Sequence, residues 1–233
     1  MNKNFFNSAI IVAAGNSTRM GKGYSKIFEP ILEKPSILYT LKAFEKNNLI
    51  NEIILVCKEN DRENLKKIIF ENNITKFKFF ALGGSSRQES VFNGLKKVSK
   101  NADFLIIHDA ARILITDKII TDVIKDAHLY RFSIPCVAAK DTIKIVNKDG
   151  FVEKTPDRSS LFQVQTPQVF EKSIYEEVIN SAMQNGRDYT DDSQLLENAG
   201  YKVHTVLGSY ENMKLTTVED ISIFENILKK RSV

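Results

Sequence analysis

Short apolar runs and amphipathic segments alternate through the first 140 residues of the chain, and this alternation limits the folds available to it. Runs rich in Ile, Val and Phe predict five strands: Ser8–Val12, Ile53–Cys57, Phe77–Ala81, Phe104–His108 and Phe132–Ala138. Apolar residues at three- and four-residue spacing predict four helices between them: Ile37–Asn47, Asp61–Glu71, Gln88–Val98 and Asp117–Tyr130, the last with Thr116 or Asp117 as its N-cap. Strands that are apolar nearly throughout are buried on both faces. We therefore expect an α/β fold with a doubly wound, mostly parallel sheet, which binds ligands at the carboxyl ends of its strands.

The pattern changes after residue 140. Residues Asp141–Asn147 alternate in polarity, Asp149-Gly150 predicts a turn, and Phe151–Lys154 continues extended, so we expect a β-hairpin that projects as an arm. Further elements are predicted at the following ranges: helix Lys172–Gln184, helix Asp191–Asn198, strand Lys202–Leu207 and helix Val218–Lys230. Because no flexible linker interrupts the chain, we expect one domain over residues 1–233, with residues 139–160 as the arm.

Charge and cysteine content exclude several classes of protein. The 33 Lys and Arg residues exceed the 29 Asp and Glu residues by only four, and no basic stripe with interleaved aromatics predicts nucleic-acid binding. Cys57 and Cys136 lie in apolar runs without a CxxC partner, which is typical of buried, reduced thiols. The apolar run Ala9–Ala14 is too short for a signal peptide core or a membrane span. We expect a cytoplasmic protein that does not associate with membranes.

The loop after the first strand, residues 13–26, carries the main chemical signal. Its small residues allow backbone N–H groups to face an anion. Arg19, Lys22 and Lys26 add three positive charges and no acidic residue accompanies them. This combination indicates a polyphosphate site, and the alternative is a glycine-rich turn with surface lysines.

Two common phosphate-binding motifs do not fit this loop. The dinucleotide fingerprint GxGxxG fails because Ser17 stands where the second glycine is required. The P-loop pattern fails because five residues separate Gly15 from Gly21, and Gly23 follows Lys22 where Ser or Thr is needed.

Six further motifs follow the loop in the order Gly83–Val91, His108–Arg112, Asp141–Lys144, Thr166–Gln168, Tyr189–Asp192 and Asn212–Thr216. Together with Ala-Ala-Gly, Arg-Met-Gly and Lys26 of the first loop, they resemble the 2-C-methyl-D-erythritol 4-phosphate cytidylyltransferases, a family of Rossmann-like sugar-phosphate nucleotidyltransferases. The resemblance extends from Ala9 to Glu225. Ribitol-5-phosphate cytidylyltransferases share most of these motifs but usually carry Ala-Gly-Gly and Asp-Ser-Val-Arg in place of Ala-Ala-Gly and Asp-Ala-Ala-Arg.

The resemblance implies transfer of CMP from CTP to 2-C-methyl-D-erythritol 4-phosphate, with release of pyrophosphate, in non-mevalonate isoprenoid biosynthesis. Two alternatives remain: a ribitol-5-phosphate cytidylyltransferase, and a non-catalytic nucleotide-binding module. A pure sensor needs no cations for a transition state. The joint presence of Arg19, Lys26, Asp109 and Lys214 therefore favours an enzyme.

Site residues follow from the same resemblance. Arg19, Lys26 and Lys214 would stabilise the reacting phosphate and the leaving pyrophosphate, and Arg158 is counted with them as catalytic. Nucleotide contacts are assigned to Ala13, Ala14, Gly15, Gly84, Ser85, Ser90, Asp109 and Ala110. Contacts to the sugar phosphate are assigned to Thr142, Arg158, Arg112, Thr166 and Thr190.

Several assignments have alternatives in the sequence. Asp109 is expected to bind Mg²⁺ at the end of its strand, or instead to hold the ribose or Lys214. Arg87 either serves the nucleotide or begins a helix and pairs with a nearby acid. The acidic cluster at residues 188–192 is better explained by helix capping, by Thr190 or Asp191, than by metal ligation. By resemblance, the arm joins two subunits in a homodimer and places Thr142 and Arg158 in the partner's sugar-phosphate site.

Overall fold

The computed structural model describes residues 4–15 and 25–231. Its strands are β1 (Asn7–Val12), β2 (Pro30–Ile31), β3 (Lys34–Pro35), β4 (Glu52–Cys57), β5 (Phe77–Leu82), β6 (Phe104–Asp109), β7 (Phe132–Ala138), β8 (Ile145–Val146), β9 (Val152–Lys154), β10 (Phe162–Val164), β11 (Gln168–Glu171) and β12 (His204–Leu207). Its α-helices are α1 (Ser36–Lys46), α2 (Arg62–Glu71), α3 (Arg87–Leu95), α4 (Asp117–Tyr130), α5 (Lys172–Gln184), α6 (Asp192–Asn198) and α7 (Asp220–Arg231).

An eight-stranded sheet runs in the order β10-β7-β11-β6-β1-β4-β5, and β12 also pairs with β7. Strand β1 lies parallel to both β4 and β6, β4 lies parallel to β5, and β7 lies parallel to β12. Strand β11 is antiparallel between β6 and β7, and β10 is antiparallel to β7. The predicted α/β fold with a mostly parallel sheet is confirmed.

Both faces of the sheet are covered by helices. On one face Ala9 and Ile11 of β1 pack with buried side chains of α1, α2 and α4. On the other face Ile10 packs with side chains of α3, α5 and α6. Successive residues of a strand point to opposite faces, so a strand covered on both sides must be apolar at every position. This is why the buried strands are apolar in consecutive residues.

Two antiparallel strands, β10 and β11, were not predicted. They are only three and four residues long, and β10 is exposed along its whole length. Between them the Thr166-Pro167 peptide bond is cis. Pairing with β7, and for β11 also with β6, makes these residues strands, and strands this short leave little local pattern to recognise.

The predicted hairpin is present as the antiparallel pair β8–β9, whose residues are all exposed. Asn147 Oδ1 accepts hydrogen bonds from the backbone N–H of Asp149 and Phe151, which closes the turn. Gly150 has a φ of 88°, a backbone conformation that residues with a side chain rarely adopt. Among the described residues, no helix combines the length and apolarity needed to cross a bilayer.

Candidate active site

A cavity of about 230 Å³ opens at the carboxyl ends of β1 and β6. The segments that follow β1, β5 and β6 form its walls, because the ends of parallel strands meet at one edge of a sheet. Its lining comprises Val12, Ala13, Ala14, Gly15, Lys26, Ile27, Gly84, Ser85, Ser86, Arg87, Ser90, Asp109, Ala110, Ala111 and Lys214.

Most of the site residues proposed from the sequence lie in this cleft. Ten of them line it: Ala13, Ala14, Gly15, Lys26, Gly84, Ser85, Ser90, Asp109, Ala110 and Lys214. Arg19 and Lys22 lie outside the described residues. The cleft therefore gathers residues from four regions of the sequence around one acid and several cations.

Thr166 and Arg112 support the cleft from behind. The Thr166 hydroxyl accepts a hydrogen bond from the backbone N–H of Asp109 at 3.1 Å and lies 3.0 Å from Nδ1 of His108. Arg112 donates from Nη1 to the carbonyl of Asn212 at 2.7 Å, close to Lys214 in the chain. Both side chains therefore fix the backbone that carries charged groups of the cleft.

His108 is completely buried beside the ring of Phe44 and is not among the residues that line the cleft. Burial lowers its pKa to about 3, so its imidazole is neutral. His108 is thus a packed residue at the end of β6.

Thr142, Arg158 and Thr190 are exposed and do not line the cleft of this chain. Arg158 donates from Nη1 to the carbonyl of Lys140 at 3.0 Å, across the base of the arm. The Thr190 hydroxyl donates to Oε1 of Gln194 at 3.0 Å, just before α6.

The acidic cluster near Thr190 is explained by capping and pairing. Asp191 is the N-cap of α6 and accepts from the backbone N–H of Gln194, which confirms the capping interpretation. Among the described residues, no group of three or more His, Cys, Asp or Glu side chains is arranged to hold a metal ion.

Asp109 is the electrostatic centre of the cleft. Its Oδ2 lies 2.7 Å from Nζ of Lys214, and its Oδ1 lies 3.2 Å from Nε of Arg87. Burial by itself would raise the pKa of this carboxyl, but Arg87 and Lys214 outweigh it and hold the pKa well below its ordinary range. Asp109 is therefore ionised and paired with two cations, one of which is the expected partner Lys214.

This pairing predicts how stability depends on pH. A carboxylate whose pKa is depressed by folding stabilises the protein above its ordinary pKa, here 3.8, and this contribution is lost as the pH falls further. We expect Asp109→Asn to lower the free energy of unfolding by about 3 kcal/mol, constant from about pH 8 to about pH 5 and shrinking below about pH 4. Urea unfolding at each pH measures this difference, with Asp149→Asn in the exposed turn as the control. A difference that already shrinks near pH 6 would contradict the assignment.

The loop after β5 is held by its own side chains. Glu89 accepts hydrogen bonds from both the backbone N–H and the hydroxyl of Ser85, each at 2.6 Å. Ser90 Oγ accepts from the N–H of Gly84 at 3.0 Å, and Ser86 caps α3. A Cβ on Gly84 would collide with the side chain of Glu89, so this position requires glycine. Hydrogen bonds within the loop and its helix therefore fix its conformation.

The two lysines of the cleft are mechanically connected. Lys26 donates from Nζ to the carbonyl of Leu215 at 3.1 Å, and Leu215 donates its N–H to Ala111 at 2.8 Å. The residue next to Lys214 is therefore fixed both by Lys26 and by the segment after β6.

Arg87 both begins α3 and lines the cleft, and it pairs with Asp109 and Asp192. The expectation that Arg87 begins a helix and pairs with an acid is confirmed. Its second partner Asp192 and the hydroxyl of Tyr175, which donates to Asp192, were not identified from the sequence as parts of the site. Asp192 ends the motif Tyr189–Asp192 and begins a helix, but neither signal indicates Arg87 or Tyr175 as its partners.

The chain is similar to proteins that carry one family name. Residues 8–230 match the model of the family described as "IspD: 2-C-methyl-D-erythritol 4-phosphate cytidylyltransferase". Relatives of that name from Caldanaerobacter subterraneus subsp. tengcongensis and Clostridium acetobutylicum are 43% and 45% identical; the alignments cover 96% and 97% of this chain and 99% of each relative. The solved 4-diphosphocytidyl-2C-methyl-D-erythritol synthase of Anaerococcus prevotii is 30% identical, with a TM-score of 0.87 and 97% of each chain covered.

Proposed function

The chain belongs to the 2-C-methyl-D-erythritol 4-phosphate cytidylyltransferase family, and we propose that it transfers CMP from CTP to 2-C-methyl-D-erythritol 4-phosphate, a step of isoprenoid biosynthesis. A phosphate oxygen of the sugar phosphate attacks the α-phosphorus of CTP, the bond to the β-phosphate breaks, and pyrophosphate leaves. The observation that carries the proposal is the cleft, in which Lys26, Lys214 and Asp109 meet the ordered loop after β5.

The attacking group needs no base. A phosphate monoester has its second pKa near 6, so the oxygen is largely deprotonated at neutral pH. This agrees with the residues present, since Asp109 is ionised and paired and His108 is buried away from the cleft lining. The protein's contribution is to align two polyanions and to offset the charge that builds up between them.

The described residues divide this work by position. The small residues after β1 and the loop after β5 bind the nucleotide, with Gly84, Ser85 and Ser90 beside the base. Lys26 and Lys214 face the phosphates, and Arg19 joins them in the proposal. Cations fixed before the reaction stabilise developing charge without a reorganisation cost.

Magnesium dependence is part of the proposal. Asp109 is the one carboxylate that lines the cleft among the described residues, and Mg²⁺ commonly uses one or two carboxylates together with substrate phosphates. These donors fit the ion, which Asp109 and the phosphates of CTP would hold. When bound, the ion would neutralise charge on the triphosphate and favour departure of pyrophosphate.

We also propose a homodimer formed through the arm, residues 139–160 of a single nucleotidyltransferase domain. The arm exposes large apolar side chains that a partner would cover: Ile143, Ile145, Val146, Phe151 and Val152. Thr142 and Arg158 lie at its base and would complete the partner's sugar-phosphate site.

A cytoplasmic location is supported by Cys57 and Cys136, which are buried free thiols.

The reaction is tested by pyrophosphate release with CTP and Mg²⁺, comparing 2-C-methyl-D-erythritol 4-phosphate with D-ribitol 5-phosphate. We expect turnover with the first acceptor and its loss when excess chelator removes the metal. Preference for the second acceptor would move the enzyme to ribitol phosphate activation. Absence of turnover with both, in a folded protein that still binds CTP, would support a nucleotide-binding module.

Arg158 gives a prediction specific to the sugar-phosphate site. Because its guanidinium fork suits a phosphate dianion, Arg158→Ala is expected to raise the KM for the sugar phosphate by about tenfold, while the KM for CTP stays within about twofold. Steady-state kinetics in both substrates measures the two constants. Arg187→Ala, at another exposed arginine, is the control. Equal changes in both KM values would contradict a sugar-phosphate role.

A mixing experiment tests whether Arg158 acts across the dimer. In a mixed dimer of Arg158→Ala and Lys26→Ala chains, one site combines an intact Lys26 with an intact Arg158 from the partner. Equal amounts of the two variants are refolded together and assayed well below the KM for the sugar phosphate, where each variant alone is weakly active. About a quarter of wild-type activity is expected, since half of the dimers are mixed and each has one complete site. No recovery would mean that Arg158 serves its own chain.

A further inference from the structure

Directly behind the cleft lies a buried carboxylate that does not line it. Asp192, the first residue of α6, is 3% exposed. Its Oδ1 accepts a hydrogen bond from the hydroxyl of Tyr175 at 2.6 Å, and its Oδ2 lies 2.6 Å from Nη1 of Arg87. Tyr175 is completely buried on α5. A buried ion has a high desolvation cost, so both oxygens need the partners they have here.

Arg87 connects this hidden acid to the acid of the cleft. Its Nη1 contacts Asp192 and its Nε contacts Asp109, so the two ends of one planar guanidinium are fixed by two carboxylates. Asp109 then offers Oδ1 to Arg87 and Oδ2 to Lys214. Two acids and two cations therefore form a row of ion pairs in the order Asp192, Arg87, Asp109, Lys214, and the row ends at a lysine of the cleft.

The order of these ion pairs decides which oxygen of Asp109 Arg87 contacts. A guanidinium prefers to bind a carboxylate with two parallel hydrogen bonds. Without Asp192, Arg87 would be free to turn its fork onto both oxygens of Asp109 and to compete there with Lys214. With Asp192 in place, Arg87 reaches Asp109 through Nε, and Oδ2 remains for Lys214.

We propose that Asp192, supported by Tyr175, is a positioning residue for cytidylyl transfer: it holds Arg87 so that Asp109 keeps Lys214 at the phosphate site. This inference rests on the proposed function. It assigns Asp192 no contact with either substrate, and its effect passes through Arg87.

The test is Asp192→Asn, which keeps the size of the side chain and removes its charge. We expect kcat to fall about 10- to 100-fold, with both KM values within about threefold, because the loss concerns stabilisation of the transition state. Asp192→Glu is expected to restore kcat to within about fivefold of the wild type, since a carboxylate is again available to Arg87. The control is Asp191→Asn on the preceding residue, where asparagine caps the helix as well as aspartate does.

A double-mutant cycle separates positioning from a merely structural role. If Asp192 acts through Arg87, the double variant Arg87→Ala, Asp192→Asn has the same kcat as Arg87→Ala alone. Kinetic effects that multiply would overturn the inference, as would a folded Asp192→Asn enzyme with wild-type kcat. Thermal melting establishes that each variant is folded.

Tyr175→Phe tests the inference if Asp192→Asn does not fold. If Asp192→Asn does not fold, the same kinetics on Tyr175→Phe, which keeps the carboxylate and removes its hydroxyl donor, are expected to show kcat reduced about threefold or more. An unchanged kcat in that variant would overturn the inference. Failure of the proposed function is distinguishable, because the wild-type enzyme would then also fail to release pyrophosphate.

Discussion

Replacing Lys214 by alanine is expected to lower kcat for pyrophosphate release by about 10²- to 10³-fold, the usual loss for one preorganised group that stabilises transition-state charge. Lys214 is held 2.7 Å from Asp109, on a segment anchored by Arg112, so groups of the protein itself fix its ammonium group. A cation fixed in this way acts on charge that appears only as the bond to pyrophosphate breaks. The loss should therefore fall mainly on kcat rather than on KM.

The control for this variant is Lys202→Ala, which removes an exposed lysine from the strand region before β12. Lys214→Arg keeps the charge but replaces a compact ammonium by a planar fork, and it is expected to recover only part of the activity. A folded Lys214→Ala enzyme with kcat within about threefold of the wild type would contradict the proposed role.

The fold was predictable because the residues of the buried strands are apolar at consecutive positions. In β1 and β4, consecutive apolar residues pack on opposite faces of one sheet, so the local sequence indicates that helices cover both faces. The same pattern predicts that the residues after β1 and β6 meet at one edge of the sheet, since parallel strands end on the same side. The short strand β10 contains no such record, because its partner β7 determines its conformation, and in β11 only Val169 and Phe170 carry it.

The site was predictable in part for a related reason. The strand-end rule gathers Ala13 and Asp109, but it cannot bring in Lys214, which is 105 residues from Asp109 and follows no buried strand. Only the resemblance to a family supplied that residue. The contact of Arg87 with Asp192 also spans 105 residues, and neither the spacing nor the composition around Asp192 predicts its partner.

Lys26→Ala is the other variant with a large expected effect, a fall in kcat of about 10²-fold or more with the fold retained. Lys26 lines the cleft and also donates to the carbonyl of Leu215 at 3.1 Å. Its removal therefore takes away one charge and also loosens the segment that holds Lys214. Pyrophosphate release is the measurement, and Lys34→Ala, at an exposed lysine of β3, is the control.

The double variant Lys26→Ala, Lys214→Ala tests whether Lys26 also acts through Lys214. If Lys26 acted only as a charge, its effect and that of Lys214 would multiply in the double variant. Lys26 also fixes the backbone beside Lys214, so part of the fall in kcat in Lys26→Ala comes from displacing Lys214. That part is absent when Lys214 has already been replaced. We expect the double alanine variant to fall short of the product of the single effects by about tenfold or more. Agreement with the full product would mean that the two cations act independently and that the hydrogen bond from Lys26 to Leu215 has no part in catalysis.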